Sequence, residues 1–174
     1  MASAGIVWLS WASLLNVHSH GLYRFFSFEL ILLLVILNLD VWFKDLFSWY
    51  QLVSWVLLII SLFLAIHSLI FLKKIGQSTS SRADPALVSF EKTAKLVQVG
   101  AYRYMRHPMY SSLLLLGWGA FFKSVSPLDF ILAVLSTIFL VITARKEETE
   151  NIAYFGEEYK EYMKQSKMFI PYIF

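Results

Sequence analysis

The clearest apolar run of the chain, which carries no charged residue, limits most strongly what the chain can fold into. Residues 52–72 contain 21 residues without Asp, Glu, Lys or Arg, and His67 is their only ionisable side chain. A helix of about 20 apolar residues is long enough to cross the hydrocarbon core of a bilayer. We therefore predict a membrane-spanning helix here, with His67 as a hydrogen-bonded packing residue rather than a ligand.

The composition is that of a membrane protein, and it excludes several other classes. Hydrophobic residues make up 58% of the chain and charged residues 16%, with a mean hydropathy of +0.62. These values are far from those of a soluble domain. The chain has no cysteine, which excludes disulfides, iron–sulfur clusters and thiolate zinc sites. With a formal charge of only +3, the basic residues favour a membrane surface over nucleic acid as a partner.

Shorter apolar segments accompany this run. They are residues 4–17, 25–43, 109–122 and 130–144, the second of which is interrupted by Glu29, Asn38 and Asp40. Residues 4–17 are short for a span, so we interpret them as a first membrane helix extended by its neighbours, with an interfacial helix as the alternative. The prediction is an all-α, polytopic membrane protein of about five transmembrane helices that forms a single domain over residues 1–174.

The last two apolar segments are predicted to form a helical hairpin. Ser126 suits the N-cap of the second arm, Pro127 its first residue, and Asp129 its first turn. Gly117 and Gly119 are expected to let the two arms approach each other closely.

Polar segments flank this hairpin on both sides. In the stretch before it, Asp84 and Pro85 predict the start of a surface helix that runs to about Val97. After it, the chain from Arg145 onward is predicted to leave the membrane as a cytoplasmic tail helix that continues to about Gln165.

The distribution of basic residues predicts the orientation. With five spans and the N-terminus outside, 13 of the 15 Lys and Arg residues face the cytoplasm, and only Lys44 and Lys123 lie outside. The positive-inside rule favours this topology. The start of the first hairpin arm and the end of the second then lie on the cytoplasmic face. The membrane is expected to be the inner membrane of a bacterium or the endoplasmic reticulum of a eukaryote.

Residues 100–110 read G-A-Y-R-Y-M-R-H-P-M-Y and carry the densest polar cluster. Pro108 suits the first position of a helix, so Arg106 and His107 are expected at the helix entry beside unpaired N–H groups that favour anions. A cationic and tyrosine-rich anchor at a membrane boundary is the alternative. Across the hairpin lie Glu147 and Glu148. Together the two clusters offer both signs of charge, which suits a zwitterionic ligand.

At this point the residues resemble a known family. R-H-P-M-Y at residues 106–110, E-E at residues 147–148, F-G-E-E-Y-K-E-Y at residues 155–162 and I-P at residues 170–171 occur in order. This combination is similar to the integral-membrane methyltransferases, which include isoprenylcysteine carboxyl methyltransferase and the phospholipid N-methyltransferases. The resemblance covers roughly residues 95–174. It implies S-adenosylmethionine as cofactor, bound in a region that spans residues 73–174, with residues 1–72 as N-terminal membrane helices.

The resemblance also implies roles for individual residues. The implied catalytic residues are Arg106, His107 and Tyr110, and the implied substrate contact is Arg145. The implied cofactor contacts are Ala94, Lys95, Leu96, Val97, Tyr102, His107, Pro108, Met109, Tyr110, Glu147 and Glu148.

Two positions depart from the family pattern. Ser112 stands where members often have glycine and is expected to narrow the pocket. Thr143 stands where isoprenylcysteine enzymes have an arginine. No metal is required, and His18, Ser19 and His20 are a weak basis for a metal site.

The implied activity is transfer of the cofactor's methyl group to a lipophilic acceptor, either an isoprenylcysteine-like carboxylate or a phospholipid. Membrane sterol reductases also carry an R-H-P-x-Y stretch, so NADPH-dependent reduction is the rival enzymatic function. A non-catalytic membrane scaffold is the remaining alternative. The acceptor is expected to reach the site from the bilayer as a lipophilic or prenylated small molecule.

Overall fold

The computed structural model describes Ser3, residues 20–77 and residues 93–173, and this part of the chain is all-α. Its helices are α1 (His20–Leu37), α2 (Trp49–Ile75), α3 (Pro108–Phe121), α4 (Pro127–Phe155) and α5 (Glu157–Gln165). Two 3₁₀ turns, Leu39–Val41 and Gly100–Arg103, lie between them. The predicted helix at residues 4–17 and the predicted helix start at Asp84 lie outside the described residues.

Among the helices that the structure describes, three are long and apolar enough to cross a membrane, namely α1, α2 and α4. The all-α class and the multi-pass architecture are thereby confirmed. With 14 residues, α3 is about 21 Å long and packs mainly against α2, while α1 packs mainly against α4. The number of five spans stays a prediction.

The first described helix is shifted relative to the apolar segment that predicted it. It begins at His20 and ends at Leu37, rather than covering residues 25–43. The side-chain amide of Asn38 donates to the carbonyl of Leu34 at 2.9 Å, which closes the last turn, and a 3₁₀ turn then redirects the chain. The predicted apolar segment therefore ended too late, because Asn38 caps the helix inside it.

The start of the second hairpin arm agrees with the sequence. The hydroxyl of Ser126 accepts a hydrogen bond from the backbone N–H of Asp129 at 3.1 Å, and Pro127 is the first residue of α4. The hydroxyl of Ser126 also donates to the Asp129 carboxylate at 2.8 Å. This reciprocal capping fixes the hairpin turn with local groups alone.

Of the two glycines expected to bring the hairpin arms together, one contacts a different helix. A Cβ added at Gly119 would lie 2.9 Å from Leu58 of α2, and the hydroxyl of Ser54 donates to the Gly119 carbonyl at 2.7 Å. Gly119 therefore brings α3 close to α2, and not to α4 as predicted. Gly117 does face α4, with its added Cβ at 3.5 Å from Ser136.

Two predicted helices are not continuous over the described residues that they were expected to cover. Residues 93–99 are irregular rather than the end of a surface helix, because the backbone N–H groups of Ala94 and Lys95 bond to the carbonyl of Gly76 at 2.9 and 3.1 Å. The tail is not one continuous helix either. Gly156 has φ +63°, a left-handed conformation that ends α4 and starts α5 in a new direction.

The hairpin turn is docked onto α2 by a buried lysine. The Lys123 ammonium lies 3.8 Å from the ring centre of Trp55 and donates to the Gln51 side chain at 2.9 Å. Burial lowers the pKa of Lys123, and the indole face and the amide oxygen offset part of the cost of removing its charge from water. This contact fixes the end of the bundle remote from the polar clusters.

Candidate functional site

A cleft lies where the cytoplasmic ends predicted from the sequence come together. Its volume is about 630 Å³, including solvent at its mouth. Its walls come from the end of α2, the segment at residues 93–110, the second half of α4, and α5. The cleft therefore gathers residues from both polar segments that flank the hairpin.

Arg106 and Glu148 form a buried ion pair beside this cleft. The Arg106 Nε lies 2.6 Å from Glu148 Oε1, and both side chains are less than a tenth exposed. Arg106 Nη1 also donates to the carbonyls of Ser166, at 2.5 Å, and Met163, at 3.4 Å. His107 Nε2 lies 3.3 Å from the same Glu148 oxygen. Glu148 therefore balances the charge of Arg106 and holds both Arg106 and His107 to α4.

The neighbouring glutamate points in another direction. Successive residues of an α-helix are turned by about 100°, and Glu147 lines the cleft. The phenolic O–H of Tyr110 donates to Glu147 Oε2 at 2.5 Å. Tyr110 is itself stacked on His107, with ring centres 5.5 Å apart. The two adjacent carboxylates thus have different surroundings, one in an internal ion pair and one at the wall of the cleft.

The segment after α5 holds the helix entry in place. The N–H groups of Arg106 and His107 donate to the carbonyls of Lys167, at 2.7 Å, and Met168, at 3.1 Å. The hydroxyl of Ser111 donates to the Phe169 carbonyl at 2.8 Å. The first two bonds satisfy backbone N–H groups at the entry to α3, and the third joins the first turn of α3 to the C-terminal segment. The C-terminal segment is therefore part of the framework of the site.

Two tyrosines of α5 close the cleft opposite α4. Burial raises the pKa of Tyr159 and Tyr162 above the usual range, so both keep their O–H groups. The Tyr162 O–H donates to the carbonyl of Tyr102 at 2.5 Å. This bond joins α5 to the 3₁₀ turn Gly100–Arg103.

The structure brings most of the predicted site residues to the cleft. Those that line it are Leu96, Val97, Tyr102, Arg106, His107, Met109, Tyr110 and Glu147. Those that do not line it are Ala94, Lys95, Pro108, Arg145 and Glu148. Pro108 and Glu148 are buried behind the wall, whereas Ala94, Lys95 and Arg145 are exposed. The roles of all these residues stay predictions.

The predicted effect of Ser112 is wrong. Its hydroxyl donates to the Met109 carbonyl at 2.6 Å, within the first turns of α3, and its carbonyl accepts from Ser61 of α2 at 2.7 Å. The side chain is turned into the α2–α3 contact and does not line the cleft. It therefore does not narrow it.

Six lining residues were missed from the sequence. They are Leu72, Thr93, Asn151, Phe155, Tyr159 and Tyr162. Asn151 and Phe155 follow Glu147 at intervals of four residues, the spacing of one helix face, so continuing α4 past Glu147 would have identified them. Leu72 and Thr93 carry no such signal, because only the tertiary fold brings them to the cleft.

Gly100 sits tightly between the cleft and α2. Its φ is +62°, and an added Cβ would lie 2.5 Å from Cε1 of His67. The His67 ring is stacked on Phe71, with ring centres 4.4 Å apart. His67 thus packs as predicted, but its buried Nδ1 has no hydrogen-bond partner among the described residues, so the expected hydrogen bond is not found on that atom.

We expect Gly100→Ala to destabilise the protein more than Gly156→Ala. Both glycines have a left-handed φ, which costs roughly 1–2 kcal/mol for an L-residue, but only Gly100 lacks room for a methyl group. Overpacking adds about 1–3 kcal/mol. Thermal unfolding of the two variants measures the difference, and His67→Ala should restore part of the stability lost in Gly100→Ala. Equal losses in the two glycine variants would contradict the tight packing.

The fold and the site together define a class of protein. The chain is a multi-pass helical membrane protein, in which a buried Arg–His–Glu group and a tyrosine-rich cleft lie at one end of the helices. A family model described as Phospholipid methyltransferase matches residues 49–158. This is more than half of the chain, so the chain belongs to that family. The matched region runs from α2 into α5 and includes Arg106, His107, Glu147 and Glu148, and the resemblance inferred from their motifs is confirmed.

Similar proteins of known description are bacterial methyltransferases. The chain is 33% identical over 118 residues to a methanethiol S-methyltransferase of Pseudomonas deceptionensis, covering 68% of this chain and 42% of the relative. It is 29% identical over 120 residues to a methanethiol S-methyltransferase of Crocosphaera subtropica, covering 69% of this chain and 44% of the relative. The chain therefore spans less than half the length of these relatives.

Proposed function

We propose that this protein transfers the methyl group of S-adenosylmethionine to a lipophilic acceptor at the cleft. The observation that carries the proposal is the carboxylate of Glu147 at the wall of a cleft whose other lining residues are tyrosines, apolar side chains, Arg106, His107, Thr93 and Asn151. Family membership and the names of the relatives support the same activity. The sterol-reductase alternative has no such support.

The cleft residues fit the chemical groups of this cofactor. Glu147 offers a carboxylate to its ammonium group, and the tyrosine faces suit a sulfonium or an aromatic ring. Arg106 uses Nε and Nη1 in its internal contacts, whereas Nη2 makes no hydrogen bond among the described residues and can donate to the cofactor carboxylate. Leu72, Val97 and Met109 offer apolar surface.

The bound cofactor supplies an electrophilic methyl group on a positively charged sulfur. The chain's own contribution is to bind and orient both reactants and to exclude water. Tyr110 fixes the Glu147 carboxylate by its hydrogen bond, and Glu148 fixes Arg106 and His107. The site residues are therefore held in position by buried neighbours before any ligand binds.

A small thiol is the acceptor that the surroundings of the cleft favour. An anionic carboxylate acceptor needs a cation, yet Thr143 bonds to its own helix through the Phe139 carbonyl at 2.7 Å and Arg145 is exposed away from the cleft. The Arg106 guanidinium and the His107 ring are already bound to Glu148. The relatives named methanethiol S-methyltransferase point to the same class of acceptor.

Methyl transfer from labelled S-adenosylmethionine tests the proposal. The purified protein is offered butanethiol, an N-acetyl-prenylcysteine and phosphatidylethanolamine in separate reactions. We expect label in the butanethiol product. Label in only the prenylcysteine or the phospholipid would overturn the thiol assignment, and label in none of the three would overturn the proposed activity.

We further propose that the cleft faces the cytoplasm, because the orientation with 13 of 15 basic residues inside satisfies the positive-inside rule. The chain has no cysteine, so single cysteines can be introduced without background. Cysteines at Ser124, in the hairpin turn, and Lys164, in α5, should react with a membrane-impermeant maleimide from opposite sides of sealed vesicles. Reaction of both from the same side would contradict this topology.

A further inference from the structure

An amide side chain of α4 lines the cleft beside the carboxylate proposed to bind the ammonium group of the cofactor. Asn151 is buried, and the residues one turn before and after it, Glu147 and Phe155, line the same cleft. Residues at intervals of four share one face of an α-helix. From Glu147 to Phe155 this face extends for about 12 Å along the helix axis.

A tyrosine of the neighbouring helix holds this amide. The side chain of Asn151 is hydrogen-bonded to the hydroxyl of Tyr159 in α5, and both residues line the cleft. An amide group has two donor hydrogens and an oxygen that accepts two hydrogen bonds. The bond to Tyr159 therefore fixes the orientation of the amide without exhausting its capacity to bind a ligand.

Aromatic rings lie next to the amide. The rings of Phe155 and Tyr159 are nearly parallel, with 17° between their planes and 6.4 Å between their centres. Aromatic side chains stack on nucleobases, and an amide is complementary to the edge of adenine, which offers an amino donor beside a ring-nitrogen acceptor. This combination suits a purine base, whereas a small thiol offers no such edge to an amide.

We propose that Asn151, oriented by Tyr159, binds the adenine base of the methyl donor. This inference rests on the proposed function and adds the nucleoside end of the cofactor to the amino-acid end at Glu147. S-adenosylmethionine carries its ammonium group and its purine at opposite ends, which agrees with the order of Glu147, Asn151 and Phe155 along α4. The amide oxygen accepts from the 6-amino group and the amide nitrogen donates to a ring nitrogen. A 6-oxo purine has an acceptor where adenine has this donor.

Calorimetric binding of two ligands without the transferable methyl group tests this assignment. S-adenosylhomocysteine and S-inosylhomocysteine differ only at the purine, which is 6-amino in the first and 6-oxo in the second, and neither needs turnover. A bidentate amide contact discriminates between bases by roughly five- to a hundredfold. We expect the wild type to prefer S-adenosylhomocysteine by such a factor. Asn151→Leu replaces the amide by an apolar group of similar size, so it should lose this preference through weaker binding of the adenosyl ligand alone.

A purely structural role predicts a different result. If Asn151 only fastens α4 to α5, Asn151→Leu should weaken both ligands by the same factor, because the shape of the cleft changes for both. Glu147→Gln is the matched change one turn earlier on α4, and it should weaken both ligands equally because their amino-acid ends are identical. Equal losses in Asn151→Leu, or an unchanged preference for the adenosyl ligand, would overturn the inference.

A second variant serves where Asn151→Leu does not fold. Tyr159→Phe keeps the ring and removes the hydroxyl that orients the amide, so the amide can turn to match either purine and the preference should fall. An unchanged preference in Tyr159→Phe would then overturn the inference. A wild type that binds neither ligand would refute the proposed function, whereas a wild type that binds both equally would refute only the role of Asn151.

Discussion

Glu148→Gln should unfold the detergent-purified protein at a clearly lower temperature than the wild type. The substitution leaves the Arg106 guanidinium buried without its counter-charge and removes the carboxylate that His107 shares. Breaking one side of a buried ion pair costs about 3–5 kcal/mol. For a chain of this size that is a fall on the order of 10 °C in the unfolding temperature. The measurement is thermal unfolding followed by circular dichroism or an intrinsic-fluorescence ratio.

The control for this prediction is an exposed carboxylate of α5. Glu158→Gln removes the same charge from a solvated position, where a substitution usually changes stability by less than about 0.5 kcal/mol. If Glu148→Gln melts together with Glu158→Gln, the Arg106–Glu148 pair does not hold the site together.

Glu147→Gln should weaken S-adenosylmethionine binding while leaving stability nearly unchanged. The amide keeps the size of the side chain and can still accept from Tyr110, so only the negative charge at the wall of the cleft is lost. A hydrogen bond to a charged group contributes about 1.5–3 kcal/mol. The dissociation constant is therefore expected to rise roughly ten- to a hundredfold, as measured by isothermal titration calorimetry.

This second prediction is sharpest when the two glutamates are compared. Glu147→Gln should lose cofactor affinity without losing stability, whereas the main effect of Glu148→Gln should be a loss of stability. Unchanged cofactor affinity in Glu147→Gln would show that this carboxylate serves only its contact with Tyr110 and does not bind the cofactor. Tyr110→Phe removes the hydrogen bond that fixes Glu147 and should produce a smaller loss of affinity in the same direction.

The parts of this protein that local sequence determines could be predicted. Ser126, Pro127 and Asp129 cap their helix with neighbouring groups, and the charge-free run at residues 52–72 lies inside α2. The polar cluster at residues 100–110 indicated the helix entry at Pro108, because proline is accommodated at a first helical position. These signals need no knowledge of the rest of the fold.

The missed features depend on contacts between distant segments. Ala94 and Lys95 are not helical as predicted, because their backbone N–H groups bond to the carbonyl of Gly76 at the end of α2. The sequence does not show that the adjacent Glu147 and Glu148 have different surroundings, because this difference depends on which face of α4 meets Arg106. His20 was considered only as part of a weak metal motif, whereas its partner Glu150 lies 130 residues away.

Photocrosslinking of methyl-labelled S-adenosylmethionine to the full-length purified chain tests the central claim most directly. Ultraviolet irradiation of the complex is followed by peptide mapping of the label. We expect label in peptides from residues 93–110 and 147–162, competed by excess unlabelled cofactor and strongly reduced in Glu147→Gln. Competable label confined to residues 20–71, or the absence of competable label anywhere, would contradict the assignment of this cleft as the methyl-donor site.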